Sequence, residues 1–414
     1  MRTLILITTR FPYLPGEEFM EAEVPYLASK FDRMVIVPTL VSGKPRGLPP
    51  RVEVETGLAS MLSISRASKL FLLPHHLSLF GNAMLGGAGR PLAMYKAMRN
   101  AARIAICEKW FSTYLMHRVE NSEKVLFFCW WTALPILGAR LASRGWQNVV
   151  GIVSRAQRSD LYIEEGGDPN WPFHERVLRS LDRVFVASEH GVRYLTSRYP
   201  WMTTKAEVGR LGAADVGVKE PSKTSTPFVV CSCAYLNPVK RVDLLIRGLG
   251  HVGTKFPRVM IQWHHFGDGP LRAELENIAL ACLPGNVVAT FHGRVDNAQV
   301  RSFYRNTFVN LFINTSSSEG VPVSIMEAQS AGIPVIATAV CGTPELVNAS
   351  NGFLLTANPD VAEVAAAIGA AITEPSCWLT KREVSRKTWL TLSDATKNYG
   401  GFAHRLGQFF DVLK

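Results

Sequence analysis

Val309-Asn310-Leu311-Phe312-Ile313-Asn314-Thr315-Ser316-Ser317-Ser318-Glu319-Gly320-Val321-Pro322-Val323-Ser324-Ile325-Met326-Glu327-Ala328 is the stretch that decides the fold of this 414-residue chain. An apolar run of strand length enters a polar loop. Gly320 and Pro322 then open a helical pattern that closes at Gly332-Ile333-Pro334, as Pro near a helix start and Gly past its end favour. Strand, loop and helix in that order are the unit of parallel βαβ winding, and in open α/β sheets ligands bind in the crevice at the carboxyl ends of the strands. A helix starting near Pro322 leaves backbone N–H groups of about Val321 to Ser324 unpaired, with a positive dipole end behind them. A diphosphate suits such a place. Glu319 lies just before the helix start and Glu327 roughly one turn inside it. Carboxylates beside an anion site repel phosphate, so they are suited instead to accepting hydrogen bonds from sugar and ribose hydroxyls. The plainer reading makes Glu327 a solvated helix residue and Glu319 a companion of the helix dipole.

The same alternation runs outward in both directions. Short apolar runs predict strands near 3 to 8, 34 to 38, 125 to 129, 149 to 153 and 183 to 187, then near 227 to 233, 259 to 266, 287 to 291, 308 to 314, 334 to 338 and 352 to 355. The reading is an α/β protein of two doubly wound domains. Gly, Lys, Ser, Thr and Pro replace the apolar pattern between Ala213 and Pro227, the expected linker. The expected domains are 1–216 and 217–392. The tail 393–414 carries Phe402, Leu406, Phe409, Phe410 and Leu413 at helical spacing and is expected to pack back towards the N-terminal domain. Length agrees, since one hydrophobic core rarely grows this large.

Composition narrows the class further. The chain is 47% hydrophobic and 19% charged, values of a globular protein. Its net charge is +11, with residues 1 to 200 carrying 25 Lys/Arg against 17 Asp/Glu and the remainder 20 against 17. A basic N-terminal half suits an anionic membrane surface or phosphorylated substrates, and no nucleic-acid-binding signature accompanies it. Seven scattered cysteines do not form a disulfide framework and point to a reducing compartment. Cys231 and Cys233, a C-x-C inside an apolar run, are not expected to hold a metal. The opening apolar run breaks at Thr8-Thr9-Arg10, too early for a signal peptide, and reads as a buried strand. No run reaches the ~18 apolar residues of a spanning helix. Segment 70 to 88, LFLLPHHLSLFGNAMLGGA, reads equally as a core helix or as a membrane-facing or acceptor-facing element.

Glu319-x7-Glu327, Pro334 to Thr338 and Gly342-Thr343-Pro344-Glu345-Leu346-Val347 together resemble the retaining GT-B glycosyltransferases of family 4. Supporting blocks follow in order: Val229 to Leu249 with Lys240 and Arg241, His265-Phe266-Gly267-Asp268-Gly269, and Phe291-His292-Gly293-Arg294-Val295. Phe11-Pro12-x3-Gly16-Glu17-x-Phe19 with Glu23, and Ser154-Arg155-Ala156 with Asp160-Leu161-Tyr162, resemble the family's first strand-to-helix turn and its acceptor-side segment. The chain is similar to transferases that build bacterial capsular or exopolysaccharides.

The resemblance implies the GT-B fold, two Rossmann-like domains facing across a cleft, with donor on the C-terminal lobe and acceptor on the N-terminal lobe. It implies that Lys240, with Arg241, neutralises the donor diphosphate. Glu319 and the backbone of Gly320, Val321, Pro322 and Val323 hold the sugar, and Ser324 completes the helix start. Glu327 holds the ribose, Gly293, Arg294 and Val295 line the base pocket, and Gly16 lets the first turn approach the diphosphate. Arg155, Gln157 and Arg158 stand on the acceptor side. Gln157 occupies a position where members commonly have His, so it hydrogen-bonds without titrating. Tyr235 replaces a common Arg, so neutralisation leans on Lys240 and Arg241.

The implied function is transfer of a sugar from a nucleotide-diphosphate donor to a glycan or polyprenyl-diphosphate-linked acceptor. It needs no cofactor and no metal, and it takes place in the cytoplasm or on the inner face of the plasma membrane, without nucleic acid. The competing readings are a catalytically impaired GT-B binding or partner subunit and a nucleotide-sugar epimerase-type enzyme.

Overall fold

The computed structural model describes residues 1–63, 81, 90–163, 168, 170–220 and 227–411. Two compact units emerge: Met1–Ala187 with Gly191–Gly209 and Tyr399–Lys414, and Ser188–His190 with Arg210–Asn398. The change of unit falls at Gly209 and Arg210, upstream of the expected 216. Residues just beyond it are held by the second unit: the Trp389 indole N–H donates to the Ala213 carbonyl at 3.1 Å, and Arg386 pairs with Asp215 at 2.7 Å.

The first unit contains a parallel sheet in the order β3-β2-β1-β4-β5-β6-β7. Its strands are β1 (Arg2–Thr8), β2 (Arg33–Pro38), β3 (Val52–Val54), β4 (Lys124–Cys129), β5 (Val149–Ala156), β6 (Arg183–Val186) and β7 (Ala206–Val208). β1 and β4 are central and almost wholly buried, as continuous apolar runs in parallel sheets require. The second sheet runs β10-β9-β8-β11-β12-β13. It comprises β8 (Phe228–Cys233), β9 (Ile261–Phe266), β10 (Val287–Phe291), β11 (Leu311–Asn314), β12 (Val335–Thr338) and β13 (Gly352–Leu355). Its core gathers Val230, Trp263, Leu245, Ile246, Leu311 and Ile336. In both sheets the chain reverses its direction of growth at one place, between β1 and β4 in the first and between β8 and β11 in the second. The crevice belongs there.

Every strand expected from the sequence is present, and the two that were missed are the edges of the first sheet, β3 and β7. Each is three residues long and carries no fully buried residue, so neither shows a hydrophobic period. Segment 70 to 88 lies outside the described residues apart from Gly81. At the tail, the helix Ala395–Gln408 brings Phe402 onto Phe128 and Phe185, at 5.4 and 4.9 Å between ring centres, and Phe410 lies 5.7 Å from Phe31. Cys231 is buried and Cys233 half-buried, and both are free thiols. Among the described residues no helix is long and apolar enough to cross a membrane.

Candidate functional site

Two loops meet at the reversal point of the second sheet. One follows β8 and turns through Pro238–Lys240 into the helix Val242–Lys255; the other follows β11 and leads into the helix Val323–Ser330. They are fastened to each other. The Ser317 N–H donates to the Val239 carbonyl at 2.8 Å, and the Thr315 hydroxyl lies 3.1 and 2.9 Å from the carbonyls of Lys240 and Arg241. Lys240 Nζ donates to Glu319 Oε1 at 2.5 Å, and the same oxygen accepts from Ser316 Oγ at 2.7 Å and Asn314 Nδ2 at 3.2 Å. The lysine expected to meet phosphate and the glutamate expected to meet sugar are therefore hydrogen-bonded to each other. Asn314 and Ser316, which the motif reading did not single out, fix the rotamer of Glu319.

Arg241 is placed otherwise than the resemblance implies. It adopts the left-handed backbone conformation (φ +46°). Its guanidinium donates to the carbonyls of Thr315, Ser316 and Ala357 and to Asn358 Oδ1, at 2.7 to 3.3 Å. A planar fork committed to these acceptors braces the loop. Lys240 stands as the cation of the pair with mobility to spare. Tyr235 is 60% exposed beyond the end of β8.

The helix Val323–Ser330 begins after Pro322 with no side-chain cap. Pro322 has no N–H. The N–H groups of Val321, Val323 and Ser324 find no acceptor among the described residues, which is the open helix start the sequence predicts. Glu327 is buried, and among the described residues its carboxylate accepts no hydrogen bond. Burial pushes its pKa up from 4.5 to about 7, opposed only by the charge of Arg301. It is not the solvated helix residue of the plainer reading. An unpaired buried carboxylate is costly unless a ligand supplies hydroxyl donors.

Gly293, Arg294 and Val295 sit on the same carboxyl edge, past β10. Gly293 has a positive φ of 69°, and its carbonyl accepts from Gly267 N–H at 2.9 Å. A Cβ on Gly267 would lie 1.9 Å from the Ala234 carbonyl oxygen, so that glycine serves the close approach of two backbones.

The remaining expected residues lie in the first unit, at the carboxyl ends of β1 and β5. Gly16 (φ +111°) precedes Glu17, whose carboxylate accepts from the N–H groups of Thr9, Arg10 and Phe11 at 3.1, 2.6 and 2.6 Å and from the Trp131 indole at 2.6 Å. The backbone nest that Gly16 was expected to open to a diphosphate is filled by the protein's own carboxylate. Arg155 is fully buried, lies 2.5 Å from Glu23 and 2.6 Å from the Gly209 carbonyl, and stacks on Trp130 and Phe402. It is a core brace and not an acceptor contact. Burial pushes Glu23 up to about 7 in spite of that arginine. Gln157 caps the short helix Arg158–Leu161 through a reciprocal bond with Asp160, and its Nε2 is buried without a partner. Arg158 is half-buried at the start of that helix.

Residues 218–387 match the model of the family described as Glycosyl transferases group 1. The C-terminal unit carries a glycosyl transferases group 1 domain. This domain contains both reversal-point loops. The chain is 30% identical over 158 residues to the phosphatidylinositol N-acetylglucosaminyltransferase gpi3 subunit of Schizosaccharomyces pombe, covering 37% of this chain and 33% of that one. It is 30% identical over 146 residues to the putative colanic acid biosynthesis glycosyltransferase WcaL of Escherichia coli, covering 34% of each. The matched stretches thus span about a third of these relatives' length. Anabaena HepE, solved with UDP and glucose, superimposes with a TM-score of 0.67 at 18% identity, over 98% of this chain and 99% of that one. The group 1 domain together with the first unit has the GT-B fold.

Proposed function

We propose that this protein is a retaining glycosyltransferase that moves a sugar from a nucleotide-diphosphate donor to a glycan or polyprenyl-diphosphate-linked acceptor in cell-surface polysaccharide biosynthesis. One observation carries the reading. At the reversal point of the second sheet, the Lys240–Glu319 pair, the open N–H groups of Val321, Val323 and Ser324 and the buried Glu327 carboxylate stand together, and among the described residues no hydrogen-bond partner completes the N–H groups or Glu327.

In the reaction the bond from the anomeric carbon to the phosphate oxygen breaks, and its electron pair leaves with the nucleoside diphosphate. The acceptor hydroxyl oxygen forms the new bond, and its proton passes to the departing phosphate. Charge grows on the leaving group, where Lys240 and the helix N–H groups act as preorganised donors. Glu319 exchanges part of its interaction with Lys240 for sugar hydroxyls, and Glu327 takes the ribose. The step as written needs no metal. Peripheral attachment to an anionic membrane belongs to the same reading, because a lipid-linked acceptor lies at such a surface.

The test is nucleotide release from a panel of UDP-, GDP- and ADP-sugars with EDTA present, with and without membrane lipid extract. Acceptor-dependent release of one nucleotide, abolished in Lys240→Ala and Glu319→Ala, is the expected result. A donor-binding subunit without turnover is the second reading, favoured by the commitment of Arg241 to backbone carbonyls. Donor binding with no release under any condition would decide for it.

A further inference from the structure

The helix Pro91–Arg118 of the first unit is charged against its own dipole. A helix start favours acidic residues and disfavours cations. Here Arg90, Lys96, Arg99 and Arg103 occupy the cap and the first turns, the first turn has no acid, and none appears before Glu108. Lys96 is spoken for, donating to the Asp168 carbonyl at 2.8 Å. Arg90, Arg99 and Arg103 are exposed, and among the described residues their side chains form no hydrogen bond or ion pair. Nothing among the described residues accounts for them.

Apolar side chains stand beside these cations. Leu92 is 81% and Tyr95 47% exposed, while Ala97, Ala101, Ile104 and Ala105 are buried on the opposite face. Leu92, Tyr95, Arg99 and Arg103 follow each other at spacings of three and four, which places them along one side of the helix. The result is a firmly seated helix presenting exposed apolar side chains at its tip and, along the same side, guanidinium groups that have no partner among the described residues.

We propose that this face, Arg90 to Arg103, docks the protein on an anionic lipid bilayer. This rests on the reading of the chain as a peripheral membrane protein and is independent of its sugar chemistry. Lipid phosphates satisfy the arginines, and the acyl boundary takes Leu92 and Tyr95 out of water. Nucleic acid would satisfy the arginines and leave the apolar tip in water, so the combination favours lipid.

Vesicle flotation of the full chain tests the proposal, using phosphatidylcholine with and without phosphatidylglycerol. The wild-type protein should float only with the anionic lipid and be released by salt. Arg99→Glu with Arg103→Glu should weaken binding on the order of 25-fold or more, about fivefold for each arginine lost. Leu92→Ser with Tyr95→Ser should weaken it severalfold without changing its salt dependence. Because all four side chains are exposed, unaltered thermal melting is expected and excludes unfolding as the cause. Wild-type levels of binding by both double variants would overturn the face while leaving peripheral attachment intact. No binding by the wild-type protein would overturn both. Tighter binding to nucleic acid than to these vesicles, lost in the arginine variant, would overturn the lipid assignment.

Discussion

The two sheets reverse their strand order in the same way, yet the two reversal points are chemically opposite. Between β1 and β4 the backbone donors of Thr9, Arg10 and Phe11 are already taken by Glu17, and the nearby Arg155 is sealed between Glu23, Trp130 and Phe402. Between β8 and β11 the donors of Val321, Val323 and Ser324 find no acceptor among the described residues, and the buried Glu327 carboxylate accepts no hydrogen bond from them. Topology supplies a crevice in both places, and residue chemistry decides which one remains receptive. A buried polar group left unpaired costs about 1 to 3 kcal/mol, a cost that a ligand with hydroxyl donors offsets where open backbone N–H groups stand beside it.

This contrast is open to attack from either side, since substitutions at the first point should move stability and those at the second should move ligand binding. The largest effect is expected for Arg155→Met. Removing one member of a buried ion pair strands Glu23 and should cost about 3 to 5 kcal/mol in urea unfolding. Nucleotide affinity of the folded protein should be unchanged; a loss of affinity at full stability would return Arg155 to the ligand. Lys240→Ala should lower kcat/KM for the donor by on the order of 10²- to 10³-fold, at near wild-type stability. Glu17→Gln weakens charged hydrogen bonds to the nest and should lower stability by about 2 kcal/mol, again without changing nucleotide affinity.

The smallest effect sharpens the role of Glu327. The folded protein keeps its proton up to about pH 7, whereas the unfolded carboxyl loses it near 4.5. The native state therefore binds the extra proton in that window, and the contribution of this residue to stability falls as pH rises from 4.5 to 7. Glu23 and Asp160, also raised to about 7 by burial, act in the same direction. Only the difference between wild type and Glu327→Gln isolates Glu327. Its ionised form accepts ribose hydroxyls, so nucleotide affinity should climb as pH passes 7 in the wild type and stay flat in the variant, with a gap of about tenfold at high pH. Parallel pH profiles would remove Glu327 from the site.

Much of this was legible in the sequence because continuous apolar runs announce central parallel strands and because Gly and Pro punctuate the loop before Val323. The structure brings Lys240 and Glu319 together across a long sequence separation, next to the helix that carries Glu327. The arginines were read less well. In a sequence a guanidinium held by distant acceptors looks the same as one facing a ligand: Arg155 bonds to Glu23 and the Gly209 carbonyl, and Arg241 to carbonyls from Thr315 to Ala357. The Glu17 plug was hidden for a related reason. It depends on a positive φ at Glu17 and on the indole of Trp131, far along the chain.

Calorimetric titration of nucleoside diphosphates into the full chain and into Lys240→Ala reaches the central claim most directly. The account predicts that one nucleoside diphosphate binds the wild-type protein and that the lysine variant binds it at least about tenfold more weakly, the loss expected for a hydrogen-bonded charge. Equal affinity in the two proteins, or no binding by the wild type, would contradict it.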